Sequence, residues 1–287
     1  MQLSRLEQGC LIRDASLNRI IPHTVDTEEK WLFIAPHDDD IVIGAGLLLQ
    51  QAGRERKPIK ILITTDGSMG YCDLTEKDKI VKIRRRETLA SFKILGIDEV
   101  EWLDYPDANL MRHIGRRPAP EPETEPAPSP SPPALDEIAG FSGLQNSYTA
   151  HLRSYRPSHV FIMSENDYNP DHKVVYQEVL ISLFHAEGAI WPELGPPLEQ
   201  RPHVYEMAAY CNFREQPNVE IAASQAELQI KLEAVYAFQS QKQIGMLIEN
   251  LKHNGPYEYV RDMGFDYYSP APYRKLFQRS ELLEDEI

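Results

Sequence analysis

Short apolar runs of four to seven residues recur along the first two thirds of the chain, and turn residues follow most of them. Runs of this length that are rich in β-branched and aromatic residues predict buried β-strands. We expect strands at residues 31–35, 59–64, 100–103 and 159–163.

Helical spacing of apolar positions fills most of the intervals between these strands. We expect helices at residues 42–53, 76–95, 145–155 and 171–187. Strand–helix alternation predicts an α/β fold, a Rossmann-like and mostly parallel sheet with helices on both faces. Ligands bind such sheets at the carboxyl ends of the strands, so the turns at 36–40 and 164–171 should share one crevice.

The pattern changes after residue 200. Residues 203–210 alternate like an edge or added strand, and residues 225–241 and 243–253 have helical spacing. We interpret this part as a C-terminal elaboration of a single domain that spans 1–287. Residues 118–133 are rich in proline and poor in apolar side chains, which predicts a surface loop insertion.

Composition narrows the class of protein. The 287 residues are 42% hydrophobic and 26% charged, as in soluble globular proteins. A net charge of −14 opposes binding to a phosphate backbone, so we do not expect a nucleic-acid partner. The chain has no signal-peptide pattern and no apolar run of about 18 residues, so we expect a cytoplasmic protein without a membrane span.

Four consecutive side chains, His37, Asp38, Asp39 and Asp40, follow the first predicted strand. One acid is enough to cap a helix, and three beside a histidine exceed that need. Because neighbouring carboxylates repel one another, a fold keeps them together mainly when a cation compensates their charge. The pattern favours a metal site over a simple helix cap.

A second polar cluster at residues 164–172 follows the fourth predicted strand. His37 and Asp40 from the first turn, with His172 from the second, would supply two imidazoles and one carboxylate. Zinc or another divalent transition metal fits such a set, with positions left open. Asp39 is then free to act as a general base beside the ion.

The two clusters carry a resemblance to a known family. Residues 35–46, A-P-H-D-D-D-I-V-I-G-A-G, resemble the A-P-H-P-D-D-E-V-x-G-x-G signature of the LmbE-like (PIG-L) de-N-acetylases, and N-P-D-H at 169–172 resembles their H-P-D-H. Weaker matches are T-D-G at 65–67, R-x-x-E at 84–87, P-D at 106–107 and S-Q at 240–241.

This resemblance implies roles for single residues. His37, Asp40 and His172 match the family's metal ligands, and Asp39 matches its general base. Asn169 stands where the family has a histidine that is thought to stabilise the oxyanion, and we expect Asn169 to be a catalytic residue because its amide can still donate a hydrogen bond there. The resemblance also implies that Asp107 accepts a hydrogen bond from a sugar hydroxyl.

Arg84 has two interpretations. Ile80, Ile83, Glu87, Ala90 and Ile94 follow helical spacing, so Glu87 interrupts an apolar face and needs a partner. Arg84 lies one turn earlier, and we favour a structural Arg84–Glu87 ion pair over the alternative, a substrate-binding Arg84.

The expected function is removal of an N-acetyl or similar N-acyl group from a small-molecule sugar or sugar conjugate, with one divalent metal, zinc being the best fit. Departures from the family pattern leave alternatives open. Asn169 cannot carry a proton as a histidine can, which favours a catalytically impaired carbohydrate-binding relative. Asp38 stands where the family usually has proline, and an extra ligand is one interpretation. A protein that binds partners through its Pro-rich loop is a third alternative.

Overall fold

The computed structural model describes residues 1–23, 28–119, 137–264, 268–271, 273, 274 and 277. Eleven strands occur in this part of the chain: β1 (Gln2–Glu7), β2 (Cys10–Asp14), β3 (Trp31–Ala35), β4 (Ile59–Thr65), β5 (Val100–Tyr105), β6 (Arg117–Pro118), β7 (Phe141–Ser142), β8 (His159–Met163), β9 (His203–Met207), β10 (Val219–Ala222) and β11 (Tyr257–Asp262).

Seven α-helices lie wholly within the described ranges: α1 (Leu17–Ile20), α2 (Asp40–Arg54), α3 (Ile80–Ile94), α4 (Leu144–Tyr155), α5 (Pro170–Glu187), α6 (Gln225–Tyr236) and α7 (Ile244–Asn254). Short 3₁₀ turns occur at Lys77–Lys79, Leu110–His113 and Pro192–Leu194. None of these helices combines the length and the apolar character needed to cross a bilayer.

Nine strands form one mixed sheet in the order β2-β1-β10-β11-β9-β8-β3-β4-β5. The five strands from β9 to β5 are parallel, and the four from β2 to β11 join them in antiparallel pairs. The chain goes from β3 outward through β4 to β5 and then returns to the other side of β3 as β8. A reversal of strand order between β3 and β8 opens a crevice at the carboxyl ends of these two strands.

The predicted α/β fold with helices on both faces is confirmed, and the sheet is more mixed than expected. Trp31, Phe33 and Ala35 of β3 pack with α2 and α6 on one face. Leu32 and Ile34 of the same strand pack with α4 and α5 on the other. Successive residues of a strand point to opposite faces, so β3 is apolar throughout because both of its faces are covered.

Several predicted boundaries need correction. The strand predicted at residues 203–210 ends at Met207 and lies between β8 and β11, so it is not an edge strand. The helix predicted at 225–241 ends at Tyr236, and the one predicted at 76–95 begins as a 3₁₀ turn. Beyond Pro118 and Ala119, the Pro-rich stretch predicted at 118–133 lies outside the described residues.

Helix α2 contains a break between Gly44 and Gly46 that the sequence analysis did not predict. Ala45 has non-helical dihedral angles, φ −142° and ψ 19°, so the helix restarts after it. The free N–H groups of Leu47 and Leu48 donate to the two carboxylate oxygens of Glu258 in β11, over 2.7 and 2.9 Å. Lys231 of α6 pairs with the same carboxylate. This buried ion pair caps the second half of α2 and ties it to the antiparallel strands.

His159 is buried at the start of β8, at the opposite end of the strand from the crevice. Its Nε2 lies 3.0 Å from the Pro22 carbonyl, and its ring packs against Trp31 and His203. Burial lowers the pKa of His159 to about 4, although the hydrogen bond with Pro22 opposes that shift. The folded protein therefore holds this imidazole neutral at pH values where the unfolded chain protonates it.

We expect acid to destabilise the fold through His159. The unfolded state takes up a proton as pH falls below about 6.5 and the folded state only near pH 4, so stability is lost across that interval. His159→Gln should reduce the fall in unfolding free energy between pH 7 and pH 5 by about 2 kcal/mol. Urea denaturation of both proteins at the two pH values measures this difference, and equal falls would contradict the prediction.

Candidate functional site

The turn after β3 brings the four side chains of the first polar cluster inside the protein. Asp38, Asp39 and Asp40 are 1%, 4% and 0% exposed. The backbone N–H of His37 donates to Asp40 Oδ2 over 2.9 Å, which closes the turn just before α2 begins. Each of these three carboxylates has a different set of neighbours, so acids that look equivalent in the sequence lie in three distinct environments.

Asp40 lies between two imidazoles. Its Oδ2 is 3.3 Å from Nδ1 of His37, and its Oδ1 is 3.3 Å from Nε2 of His172 at the start of α5. The structure thus places the turns after β3 and β8 in one crevice, as the strand pattern predicts. The ligand role of these three residues stays a prediction.

The three side chains fit a divalent cation on the structure's own evidence. Their ligand atoms all lie within 4.8 Å of one another. Asp40 Oδ1 and His172 Nε2 are buried and have no partner in hydrogen-bond geometry, although they approach each other. Buried polar atoms are rarely left without a hydrogen-bond partner. Two imidazole nitrogens and a carboxylate are a set of ligands that zinc accepts.

Charge couples these groups strongly in the absence of an ion. Burial alone would lower the pKa of His172, but the charge of Asp40 and the contact with Asp167 raise it to about 9. The same two imidazoles hold the pKa of Asp40 far below its usual range, against the opposing effect of burial. A bound cation would replace the protons that these carboxylates otherwise retain on the rings.

Further carboxylates stand behind both imidazoles. Asp107 Oδ1 lies 3.2 Å from Nε2 of His37, and Asp171 Oδ2 lies 3.7 Å from the same nitrogen. Asp167 Oδ2 lies 3.1 Å from Nδ1 of His172. Such outer carboxylates orient metal-ligating histidines. Sequence reasoning missed Asp167 and Asp171 in this role, although both occur in the polar cluster after β8.

Asp39 faces a cavity of about 310 Å³ that also contains His37, Arg84, Asp107 and Asn169. Asp39 Oδ1 accepts from Arg84 Nη2 over 3.2 Å. Burial raises the pKa of the Asp39 carboxyl, and the charge of Arg84 opposes that rise. Asp39 is thus a partly desolvated carboxylate at the cavity wall, beside the candidate metal ligands.

Tyr210 is a site residue that sequence reasoning missed. Its hydroxyl donates to Asp39 Oδ2 over 3.4 Å, and its ring packs 5.8 Å from that of His172. Tyr210 follows β9, which is parallel to β8. Applying the strand-end rule to this third strand would have identified it.

The expected Arg84–Glu87 ion pair is wrong. Arg84 reaches from α3 to Asp38 and Asp39, and Glu87 instead accepts hydrogen bonds from the backbone and hydroxyl of Ser240, over 2.8 and 2.7 Å. Residues three apart on a helix are neighbours, but these two side chains each find a buried partner elsewhere in the chain. Arg84 lines the cavity, as the alternative interpretation requires.

Asn169 lines the cavity and also caps a helix. Its side-chain oxygen accepts from the backbone N–H of Asp171 over 2.9 Å, which caps α5. This contact leaves the Nδ2 amide group as a donor. Asp107 likewise has two contacts, since its second oxygen accepts from the backbone N–H of Met69 over 3.1 Å.

Comparisons with known proteins find relatives of this chain. A curated relative, diacetylchitobiose deacetylase of Thermococcus kodakarensis, is 35% identical over 83 residues. That stretch covers 29% of this chain and 31% of the relative, so the chain matches less than a third of the relative's length.

Solved structures share the fold. N,N'-diacetylchitobiose deacetylase from Pyrococcus horikoshii superposes with a TM-score of 0.62 at 20% identity, over 85% of this chain and 89% of that one. The 4-carboxy-2-hydroxymuconate hydratase GalB from Pseudomonas putida superposes with a TM-score of 0.58 at 16% identity, over 84% and 98%. One architecture therefore carries different reactions.

A match to a protein-family model shows the family of this chain. The family model described as PIG-L, GlcNAc-PI de-N-acetylase, matches residues 32–182, which is more than half of the 287 residues. The match begins in β3 and ends in α5, and it contains His37, Asp39, Asp40 and His172. The chain belongs to the PIG-L family of GlcNAc-PI de-N-acetylases.

Proposed function

We propose that this protein is a metal-dependent hydrolase that removes an N-acetyl or similar N-acyl group from a sugar or sugar conjugate. The observation that carries the proposal is the convergence of His37, Asp40 and His172 beside Asp39 at the wall of an open cavity. The names of the two diacetylchitobiose deacetylases support an acetamido sugar as the substrate class.

His37, Asp40 and His172 would hold the ion, and zinc is the metal that best suits two imidazoles and one carboxylate. A divalent cation supplies Lewis acidity there: it polarises an amide carbonyl and makes water acidic enough to lose a proton near neutral pH. Asp107 and Asp167 would keep the two imidazoles turned toward the ion through the contacts described above.

Asp39 would act as the proton carrier. It takes a proton from the water whose oxygen attacks the amide carbon, and it gives that proton to the nitrogen as the C–N bond breaks. The products are the free amine and acetate. Burial raises the pKa of Asp39, which suits a group that must both accept and release a proton. Asn169 cannot share this task, because an amide does not titrate.

Donors around the cavity would bind the rest of the substrate. The Nδ2 group of Asn169 is available to the oxygen that becomes negative when water adds to the amide. Arg84 would donate to a sugar hydroxyl and Asp107 would accept from one, since both line the cavity.

One observation favours a second candidate function. Asn169 stands where the family usually has histidine, and its side-chain oxygen is engaged in capping α5. A relative that binds a carbohydrate but has lost turnover would show this pattern. Comparing the wild type with Asn169→His separates the two, because acetate release by the variant alone would support the impaired relative.

We expect Asp39→Asn to lower acetate release from N-acetylglucosamine by about 100-fold or more, because the amide cannot accept a proton. Zinc content should stay unchanged, since the three ligands remain. The matched control is Asp98→Asn, which removes the same charge at an exposed position before β5. A variant rate equal to that of the wild type would remove Asp39 from the mechanism.

We expect the purified protein to hold about one zinc ion per chain, and His172→Ala to lose it. The variant deletes one of three convergent ligands, and the remaining imidazole and carboxylate would bind weakly. Elemental analysis after gel filtration measures the metal. The control is His253→Ala, which removes an exposed imidazole at the end of α7. Full zinc content in His172→Ala would show that the two turns do not form one site.

A further inference from the structure

Asp38 is the acid of the first cluster for which the resemblance gives no role. Its Oδ1 accepts from the hydroxyl of Thr88 and from Nε1 of Trp102, both over 3.0 Å. Its Oδ2 accepts from Nε of Arg84 over 2.9 Å. Both oxygens are thus engaged by α3 and β5, and Asp38 is not among the groups of the described residues whose ligand atoms converge. It is a buried anchor for Arg84.

The anchored guanidinium is held in a fixed orientation. Nε of Arg84 binds Asp38, and Nη2 binds Asp39 Oδ1. Nη1 has no acceptor among the hydrogen bonds of the described residues and lies against Gly70, where any side chain would collide with it. Arg84 lines the cavity, and its Nη1 group stays available as a donor there while Nε and Nη2 are held by carboxylates.

The carboxylates around Arg84 carry more negative charge than its guanidinium can neutralise. Two buried carboxylates contact the single guanidinium. Four more carboxylates surround the imidazoles of the site, namely Asp40, Asp107, Asp167 and Asp171. These six negative charges exceed the positive charge of Arg84 and a bound divalent cation together. A neutral hydroxyl can still bind the free donor, but a phosphate group would meet a net negative field.

We propose that Asp38 makes this site select neutral N-acyl sugars over phosphorylated ones, because it both fixes Arg84 and cancels its charge. The inference rests on the proposed function for the identity of the substrate. Without the Asp38 carboxylate, Arg84 would keep only Asp39 as a carboxylate partner. A guanidinium with one carboxylate fewer attracts anions more strongly.

The test compares kcat and KM for N-acetylglucosamine and N-acetylglucosamine 6-phosphate in the zinc-loaded full chain. The wild type should favour the neutral sugar by about tenfold or more in kcat/KM. Asp38→Asn keeps an oxygen for Thr88 and Trp102 but cannot accept from Arg84. It should shift the preference toward the phosphate by about tenfold, mainly through a lower KM for the phosphorylated compound.

Asp98→Asn is the matched control, because it changes the net charge equally at an exposed position away from the cavity. Thermal unfolding and zinc content establish that each variant is folded and loaded. A wild type that prefers the phosphate, or a shift in Asp38→Asn no larger than that in Asp98→Asn, overturns the proposal.

Two further measurements keep the inference testable. If Asp38→Asn does not fold, the salt dependence of the wild type tests the proposal instead. Added salt should weaken the discrimination of the wild type against the phosphorylated sugar. Discrimination that is independent of salt overturns the proposal. If the wild type releases acetate from neither compound nor from a panel of other N-acetyl sugars and sugar conjugates, the proposed function fails. Calorimetric binding of the same two sugars then tests the charge inference by itself, and equal affinities overturn it.

Discussion

The site depends on one buried guanidinium. Three consecutive carboxylates at the end of β3 would repel one another inside the protein, and Arg84 contacts two of them while the imidazoles flank the third. Gly67 fits the same constraint, because its φ of +67° turns the loop and a side chain there would meet Asp38 Oδ2 at 2.7 Å. The three aspartates are chemically identical, and they differ only in the side chains that surround each of them.

The antiparallel strands of the sheet stabilise α2, the helix that carries Asp40. Helix α2 carries Asp40 on its first turn and breaks at Ala45, and Glu258 of β11 restarts it by binding Leu47 and Leu48. A Cβ on Gly46 would approach Lys231 Cγ to 3.0 Å, so this close packing leaves little room beside the ion pair. The glycines of the family signature therefore serve the helix break and its ion pair as much as the crevice.

The sequence allowed the parallel strands and the meeting of the two polar clusters to be predicted, because the runs at 31–35 and 159–163 are apolar on both faces and ligands collect where such strands end. The partner of Arg84 was not predictable from helix spacing, since a long side chain reaches elements that sequence distance does not reveal. Asp167 lies in the predicted cluster after β8, but its contact with His172 requires the folded turn, and Tyr210 required the position of β9 beside β8. The glycines at 44 and 46 weaken the helix locally, but the carboxylate that caps its second half, Glu258, lies more than two hundred residues away and was not predictable.

The cap on α2 has a consequence for synthesis. All the residues that we assign to the metal lie between His37 and His172, yet the helix that begins at Asp40 is completed by a carboxylate in the last strand that the structure describes. A nascent chain can pair β3 with β8 long before Glu258 has left the ribosome. Contacts of such long sequence separation form late, so the second half of α2 should acquire its final cap only when translation reaches β11.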